Sequence, residues 1–315
     1  MQPLYRACIQ LVVSQVAFGA NVALSKKLAA TWSASAIVSS RFLIAGAFLA
    51  ALMYLQKGSI LVIESTQGPK LKKRDWGLLV GQAIFGGILF NAFFQTGLMH
   101  VSTCCAGLLS SAFPMVMATC AFFLLDEKIT PQAGFGILLT VFGIVTIHID
   151  FDQTLHAEDI SVFGTALILF ALIPEALASI LARKQRGRIT PLGAAAMVNL
   201  IGAIFTFPMM LTEIQNGRMP ISSYTVTMIS IASMCTMLFY TGWLSGLKTV
   251  EASTAGIFVG IMPLSAAMFG ALLLEETPSW NEALAAGFIL ISIIVAAYGA
   301  KSEATQIAHE PAIAS

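Results

Sequence analysis

The chain is short of charge: 10% of its 315 residues are Asp, Glu, Lys or Arg, where a soluble domain carries about a quarter. So few charges cannot cover a water-facing surface. It also lacks the basic excess that nucleic acid demands, since the net charge is +1, and no nucleic-acid partner is expected. The five cysteines, Cys8, Cys104, Cys105, Cys120 and Cys235, fall in apolar stretches without paired zinc or redox spacing. They are expected as packing residues, outside any disulfide framework. No Walker motif is present, so ATP cannot drive work directly through this chain. No His/Cys/carboxylate cluster has metal-ligand spacing, and no exposed nucleophile has a base partner. Catalytic residues, a metal and a cofactor are therefore not expected. Nor is a soluble domain, because the longest loop lies near residues 57–74.

What the chain has instead is apolar length. Hydrophobic residues make up 57% and the mean hydropathy is +0.84. Crossing about 30 Å of hydrocarbon takes about 20 apolar residues in helix. Ten such runs can be read, at about 7–25, 35–55, 76–98, 102–125, 133–149, 161–182, 192–212, 224–245, 252–274 and 283–300. Arg6 before the first run gives it the look of a signal peptide, but the run is long and Lys26-Lys27 flank its far end. An uncleaved first helix is the expectation. The end from Lys301 to Ser315 is polar and expected as a disordered cytoplasmic tail.

The chain also repeats itself. GLMHVSTCCAGLLSSAFP (97–114) and GLKTVEASTAGIFVGIMP (246–263) align without a gap at an offset of 149. They share Gly97/Gly246, Leu98/Leu247, Val101/Val250, Ala106/Ala255, Gly107/Gly256 and Pro114/Pro263. Five spans per half make the offset an odd number of crossings, which turns the second half upside down relative to the first. The expected organisation is all-α and integral to the membrane, with ten helices as two inverted five-helix repeats at 1–150 and 151–300. Lysine and arginine orient it: thirteen of the 17 fall on the amino-terminal side, so both termini are expected in the cytoplasm.

These residues carry a family resemblance. FGANVALSKK (18–27), Arg41-Phe42 early in the second span and the two G-L-x-x-V-x4-A-G-x6-P blocks resemble the drug/metabolite transporter superfamily, in its ten-helix EamA type. The acidic pairs Asp126-Glu127 and Glu275-Glu276 fit the same pattern. The resemblance implies an exporter of the bacterial inner membrane whose central cavity opens alternately to each side. It names no substrate. Pro174-Glu175 in the sixth span departs from the general pattern.

Two charges lie within spans, Arg41 and Glu175. A charge at membrane depth costs about 2.5–3.5 kcal/mol on the insertion scale and normally faces a bundle interior or a water-filled cavity. Glu175 reads as a counter-ion for a substrate ammonium or as a proton carrier, with a neutralised structural carboxylate as the bland account. Arg41 reads as a gating or anion-recognising group, against a structural tie between helices. Asn91 and Gln95 share a face at i, i+4, and the offset of 149 maps Asn91 onto Tyr240 and Phe94 onto Trp243. With Asn21 these are the candidate substrate-binding residues: Asn21, Asn91, Gln95, Glu175, Tyr240 and Trp243. Interhelical glue is the alternative for the amides. Pro114 and Pro263 read as shared kinks, and Gly107 and Gly256 as sites of close helix contact.

The expected function is secondary export of small metabolites, amino acids or related amphipathic compounds foremost, by alternating access with proton coupling as an option. The alternatives are an exchanger of nucleotide- or phosphate-linked sugars and, in another class, a non-transporting membrane scaffold or receptor. The expected partners are the bilayer and a small-molecule substrate, with a homodimer left open.

Overall fold

A computed structural model of the chain describes residues 2–57, 71–125, 131–148, 161–185, 188–249, 258–288 and 290–291. Among them the regular elements are all helical, as lipid requires of a backbone that must satisfy its own polar groups. Helices α1 (Gln2–Leu28) and α2 (Ala34–Lys57) are continuous. The third span is composite: α3 (Lys73–Gln82), a π-helical stretch Ala83–Leu89, and α4 (Phe90–Leu98). The fourth divides into α5 (Thr103–Ser110) and α6 (Phe113–Leu125). Then follow α7 (Pro131–His148), α8 (Val162–Lys184), α9 (Pro191–Gln215), α10 (Ser223–Thr249) and α11 (Ile261–Leu274), with residues 280–288 helical as well.

Among the described residues seven helices are long and apolar enough to cross a membrane, and Gly134–Thr146 and Ile261–Leu274 are shorter apolar helices. Large side chains such as Phe48, Leu55, Phe123, Phe142, Phe170, Ile204 and Leu272 stand exposed on their outward faces. That is an expensive surface in water and a natural one in lipid. The chain is a multi-pass membrane protein.

Local chemistry sets the boundaries. The Ser102 hydroxyl accepts from Cys105 N at the head of α5, Ser161 from Gly164 N at α8, and Thr190 from Gly193 N at α9, where Pro191 follows at the first helical position. The carboxylate of Asp75 accepts from Lys72 N at 2.8 Å and opens α3. Gly217, at φ +66, follows the end of α9.

The two prolines of the repeat do not act as kinks in continuous spans, which corrects the expectation. Pro114 is the second residue of α6, after a break at Ser111-Ala112, and Pro263 is the third residue of α11. A proline in the first turn loses nothing, because its missing N–H would be unpaired there anyway. Most of the tenth run (283–300), the tail, Asp126-Glu127, Val250, Ala255 and Gly256 lie outside the described residues.

Packing pairs helices across the two halves. α1 lies along α10 and α11; α8 lies along the composite third span and against α5 and α6. α2 pairs with α9, and α5 with α11. The repeated glycines make these contacts close. A Cβ at Gly97 would lie 2.8 Å from both Gly164 O and Ile168 Cγ1 of α8, while one at Gly246 would collide with Leu11 of α1. Gly107 meets α11 in the same way, 2.8 Å from Ala266 Cβ and 2.9 Å from Pro263 Cα. The small residue lets the backbones approach.

Candidate functional site

At the centre of the bundle α2 contributes a guanidinium to three neutral acceptors. Arg41 Nη1 donates to Asn21 Oδ1 at 2.8 Å and to the Ser25 hydroxyl at 2.9 Å, and Nη2 donates to Asn91 Oδ1 at 2.6 Å. Asn21 Nδ2 in turn donates to Thr236 of α10 at 3.1 Å. One side chain thereby ties α2 to α1, α4 and, through Asn21, α10. Arg41 is 4% exposed, its Nε has no partner, and buried Gln95 Oε1 has none either.

The π-helical stretch supplies the site with backbone. A π turn widens the ladder and leaves carbonyls free for side chains. Asn91 Nδ2 takes the Gly87 carbonyl at 2.7 Å, and the Tyr240 hydroxyl donates to the Gly86 carbonyl at 3.4 Å. Gly86 is also where α8 comes in: a Cβ there would lie 2.8 Å from Ala178 Cβ and 3.1 Å from Glu175 Oε2.

Glu175 follows Pro174, which offers no N–H to the preceding turn of α8. It is half-buried, and among the described residues no hydrogen-bond donor reaches its carboxylate. Glu175 borders three partly open cavities between the helices. One, of about 20 Å³, is shared with Arg41, Asn21, Asn91, Gln95 and Tyr240. A second, of about 40 Å³, is walled by Phe18, Phe90, Phe113, Phe239 and Trp243. The third, of about 30 Å³, runs by Tyr240 and Trp243 to Gln82. Gln82 and Leu244 also border a fourth cavity of about 40 Å³, which lies among Arg183, Gln185 and Lys248 at the basic end of the bundle. Each volume suits one to a few waters, so the bundle is contracted around a chain of small spaces that leads from the basic end to Glu175.

The two ends are tied differently. At the basic end Arg188 pairs with Asp75 at 2.7 Å, Gln82 Nε2 donates to Gln185 Oε1 at 2.8 Å, and Gln185 Nε2 donates to the Asp75 carbonyl at 3.0 Å. At the opposite end Lys26 of α1 pairs with Glu276 at 2.7 Å and donates to the Val101 carbonyl at 2.6 Å. The second carboxylate oxygen of Glu276 accepts from Thr103 N at 2.8 Å, at the head of α5. Ser102 donates to Glu282 close by. Glu275, at φ 59, turns the chain so that Glu276 can reach back; a non-glycine residue in that region costs about 1–2 kcal/mol. These contacts tie α1, the head of α5 and the segment after α11 together at this end.

Glu276→Ala removes the acceptor of Thr103 N at the head of α5, leaving the Ser102 cap, and removes the partner of Lys26. Losing an acceptor at a helix N-terminus costs about 1 kcal/mol, so the thermal midpoint in detergent should fall by a few degrees. Native Cys104, in the first turn of α5, should be alkylated several-fold faster by an impermeant maleimide, read by peptide mass spectrometry. Unchanged alkylation of Cys104 would mean that Glu276 does not hold this end together.

The structure thus brings Asn21, Arg41, Asn91, Gln95, Glu175 and Tyr240 to one cavity, with Trp243 on the two adjoining ones. Phe18, Phe90 and Phe239 were not singled out by sequence, although the offset of 149 that pairs Asn91 with Tyr240 pairs Phe90 with Phe239 as well. Gln82 sits away from Asn91 and Gln95, across the π-helical stretch and against Gln185.

Similarity to known proteins is extensive. The EamA-like transporter family matches residues 5–149 and, a second time, residues 162–298. The uncharacterized transporter YetK of Bacillus subtilis (strain 168) is 30% identical over 277 residues, covering 86% of this chain and 80% of that protein. An uncharacterized transporter of Archaeoglobus fulgidus is 23% identical over 262 residues, covering 82% of this chain and 87% of that one. One solved crystal structure shares the fold with a TM-score of 0.58 at 18% identity, over 90% of this chain and 97% of that chain.

Proposed function

The chain belongs to the EamA-like transporter family, and from that premise we propose that it is a secondary exporter of small metabolites that carry a positive charge, amino acids and related amphipathic compounds foremost. The observation that carries this reading is the position of Glu175. It is a carboxylate inside the membrane, bonded to no described donor, at the meeting point of three cavities. A carboxylate so placed can exchange a proton for a substrate ammonium, and that exchange would couple export to inward proton flow.

Ten spans in two inverted halves, 1–150 and 151–300, give the alternating-access frame. Three observations support it: the family matches twice, α1 on α10 is answered by α8 on the third span, and repeated Gly97 and Gly246 lie in close contact with α8 and α1 in turn. The positive-inside rule puts the end bearing Arg183, Lys184, Arg188 and Lys248 in the cytoplasm of a bacterial inner membrane, with both termini on that side. The chain of cavities then starts inside, and the Lys26–Glu276 contacts tie the helices together at the outside.

An exchanger of phosphate-linked sugars would need several basic groups around its ligand. Around Glu175 the cavities offer Arg41, whose Nη donors already serve Asn21, Ser25 and Asn91. The cationic reading is therefore preferred. Counterflow in proteoliposomes tests it: vesicles preloaded with a mixture of amines and amino acids should accumulate the matching labelled solute. Exchange of sugar phosphates alone would favour the alternative, and no exchange of any solute would favour a scaffold or receptor.

A further inference from the structure

We propose that the cation taken at Glu175 is a trimethylammonium in preference to a primary amine, which narrows the amino-acid-like class above to its N-methylated members; this rests on the transporter reading above. The argument comes from the walls of the second cavity. Five rings from four helices close on it: Phe18 of α1, Phe90 of α4, Phe113 of α6, and Phe239 and Trp243 of α10. Phe18 and Phe239 stand 4.8 Å apart between centroids, and Phe18 and Phe90 6.0 Å. Phe239 and Trp243 lie nearly parallel, 10° apart in plane at 6.5 Å, and Phe113 meets Trp243 edge-on at 6.3 Å.

A primary ammonium brings three N–H donors that must each find an acceptor once water is left behind. This compartment has few to give. Its side-chain acceptors are Gln15 Oε1, the Ser110 hydroxyl oxygen, whose own proton goes to the Ala106 carbonyl, and the Glu175 carboxylate, set against five aromatic rings. A quaternary trimethylammonium, which carries no N–H, has no such demand. Its charge is spread over methyl groups that ring faces attract, and aromatic cages recognise it on that basis. Glu175 supplies the opposite charge without requiring directed hydrogen bonds. Arg41 borders the neighbouring cavity and not this one, so the cage does not itself present a competing cation. The rest of the ligand can extend from the cage along the cavities that meet at Glu175.

The test compares one skeleton with two heads: 2-phenylethylamine and its N,N,N-trimethyl derivative. Binding to the purified full chain in nanodiscs is read by calorimetry, and competition with counterflow is read in proteoliposomes. The trimethyl compound should bind about tenfold tighter, the range that a desolvated cation–π contact allows. Trp243→Phe should keep most of that preference, and Trp243→Leu should lose it. Equal or tighter binding of the primary amine to the unaltered chain overturns the proposal and leaves the transporter reading intact. Exchange of amino acids with no binding of the trimethyl compound does the same. If no solute binds or exchanges, the transporter reading itself fails and the proposal falls with it.

Discussion

Arg41→Met should leave the fold standing and abolish most transport. The magnitudes are close to balanced. A guanidinium at membrane depth costs about 2.5–3.5 kcal/mol on the insertion scale. Its three bonds, to Asn21, Ser25 and Asn91, return about 0.6–1.7 kcal/mol each as interhelical polar contacts. Replacing the charge with an apolar chain of similar length should therefore change stability by less than about 2 kcal/mol in either direction. Transport should fall by at least about tenfold, because Arg41 sets the relative position of α1, α2 and α4 around the cavity that it shares with Glu175. Arg41→Lys keeps the charge but not the fork that reaches Asn21 and Asn91 together, and should recover little. Thermal unfolding in detergent and initial rates of counterflow read the two effects separately. Lost stability with normal transport by the surviving folded protein would make Arg41 a structural tie and nothing more.

Arg41 and Glu175 were legible because charge is so scarce in this chain that any residue breaking an apolar run stands out. Asn91 and Tyr240 were legible through the repeat, which singles out positions used twice, and Gln95 through its place one turn from Asn91 on the same face. Of the aromatic cage only Trp243 was singled out. The repeat also pairs Phe90 with Phe239, but a phenylalanine in an apolar span otherwise carries no mark that separates a cavity wall from ordinary packing. Phe113 and Phe239 look in sequence like lipid-facing Phe123 and Phe170. The π-helical stretch Ala83–Leu89 was hidden for a related reason. Gly86 and Gly87 permit it, but what exploits it are partners far along the chain, Glu175, Ala178 and Tyr240. The break at Ser111-Ala112 was read as a kink at Pro114 because both put proline in the middle of an apolar run. Only the backbone distinguishes a proline that bends a helix from one that begins a helix.

The ties at the two ends also escaped the sequence. Asp75 and Arg188 sit at helix ends, where charges are expected, and Lys26 and Glu276 stood out only as a flank of the first run and as half of an acidic pair. Their significance lies in pairings between distant segments: Lys26 with Glu276, and Asp75 with Arg188. Glu275 in a left-handed conformation is harder still, since glycine or asparagine is the usual occupant there and glutamate signals nothing.

The most direct test of the central claim is Glu175→Gln, assayed in proteoliposomes with and without an imposed pH gradient. Glutamine keeps the volume and the hydrogen-bonding capacity of glutamate but cannot ionise, so the variant should insert and unfold as the unaltered chain does. Proton-driven uphill movement of a cationic substrate should fall to background, and the remaining exchange should no longer vary with pH between about 5 and 8, because no side chain is left at that point to trade a proton for the substrate. Unchanged rates together with an unchanged pH profile would contradict the account: Glu175 would then be a packing residue, and the cavities that meet at it would not be the transport site.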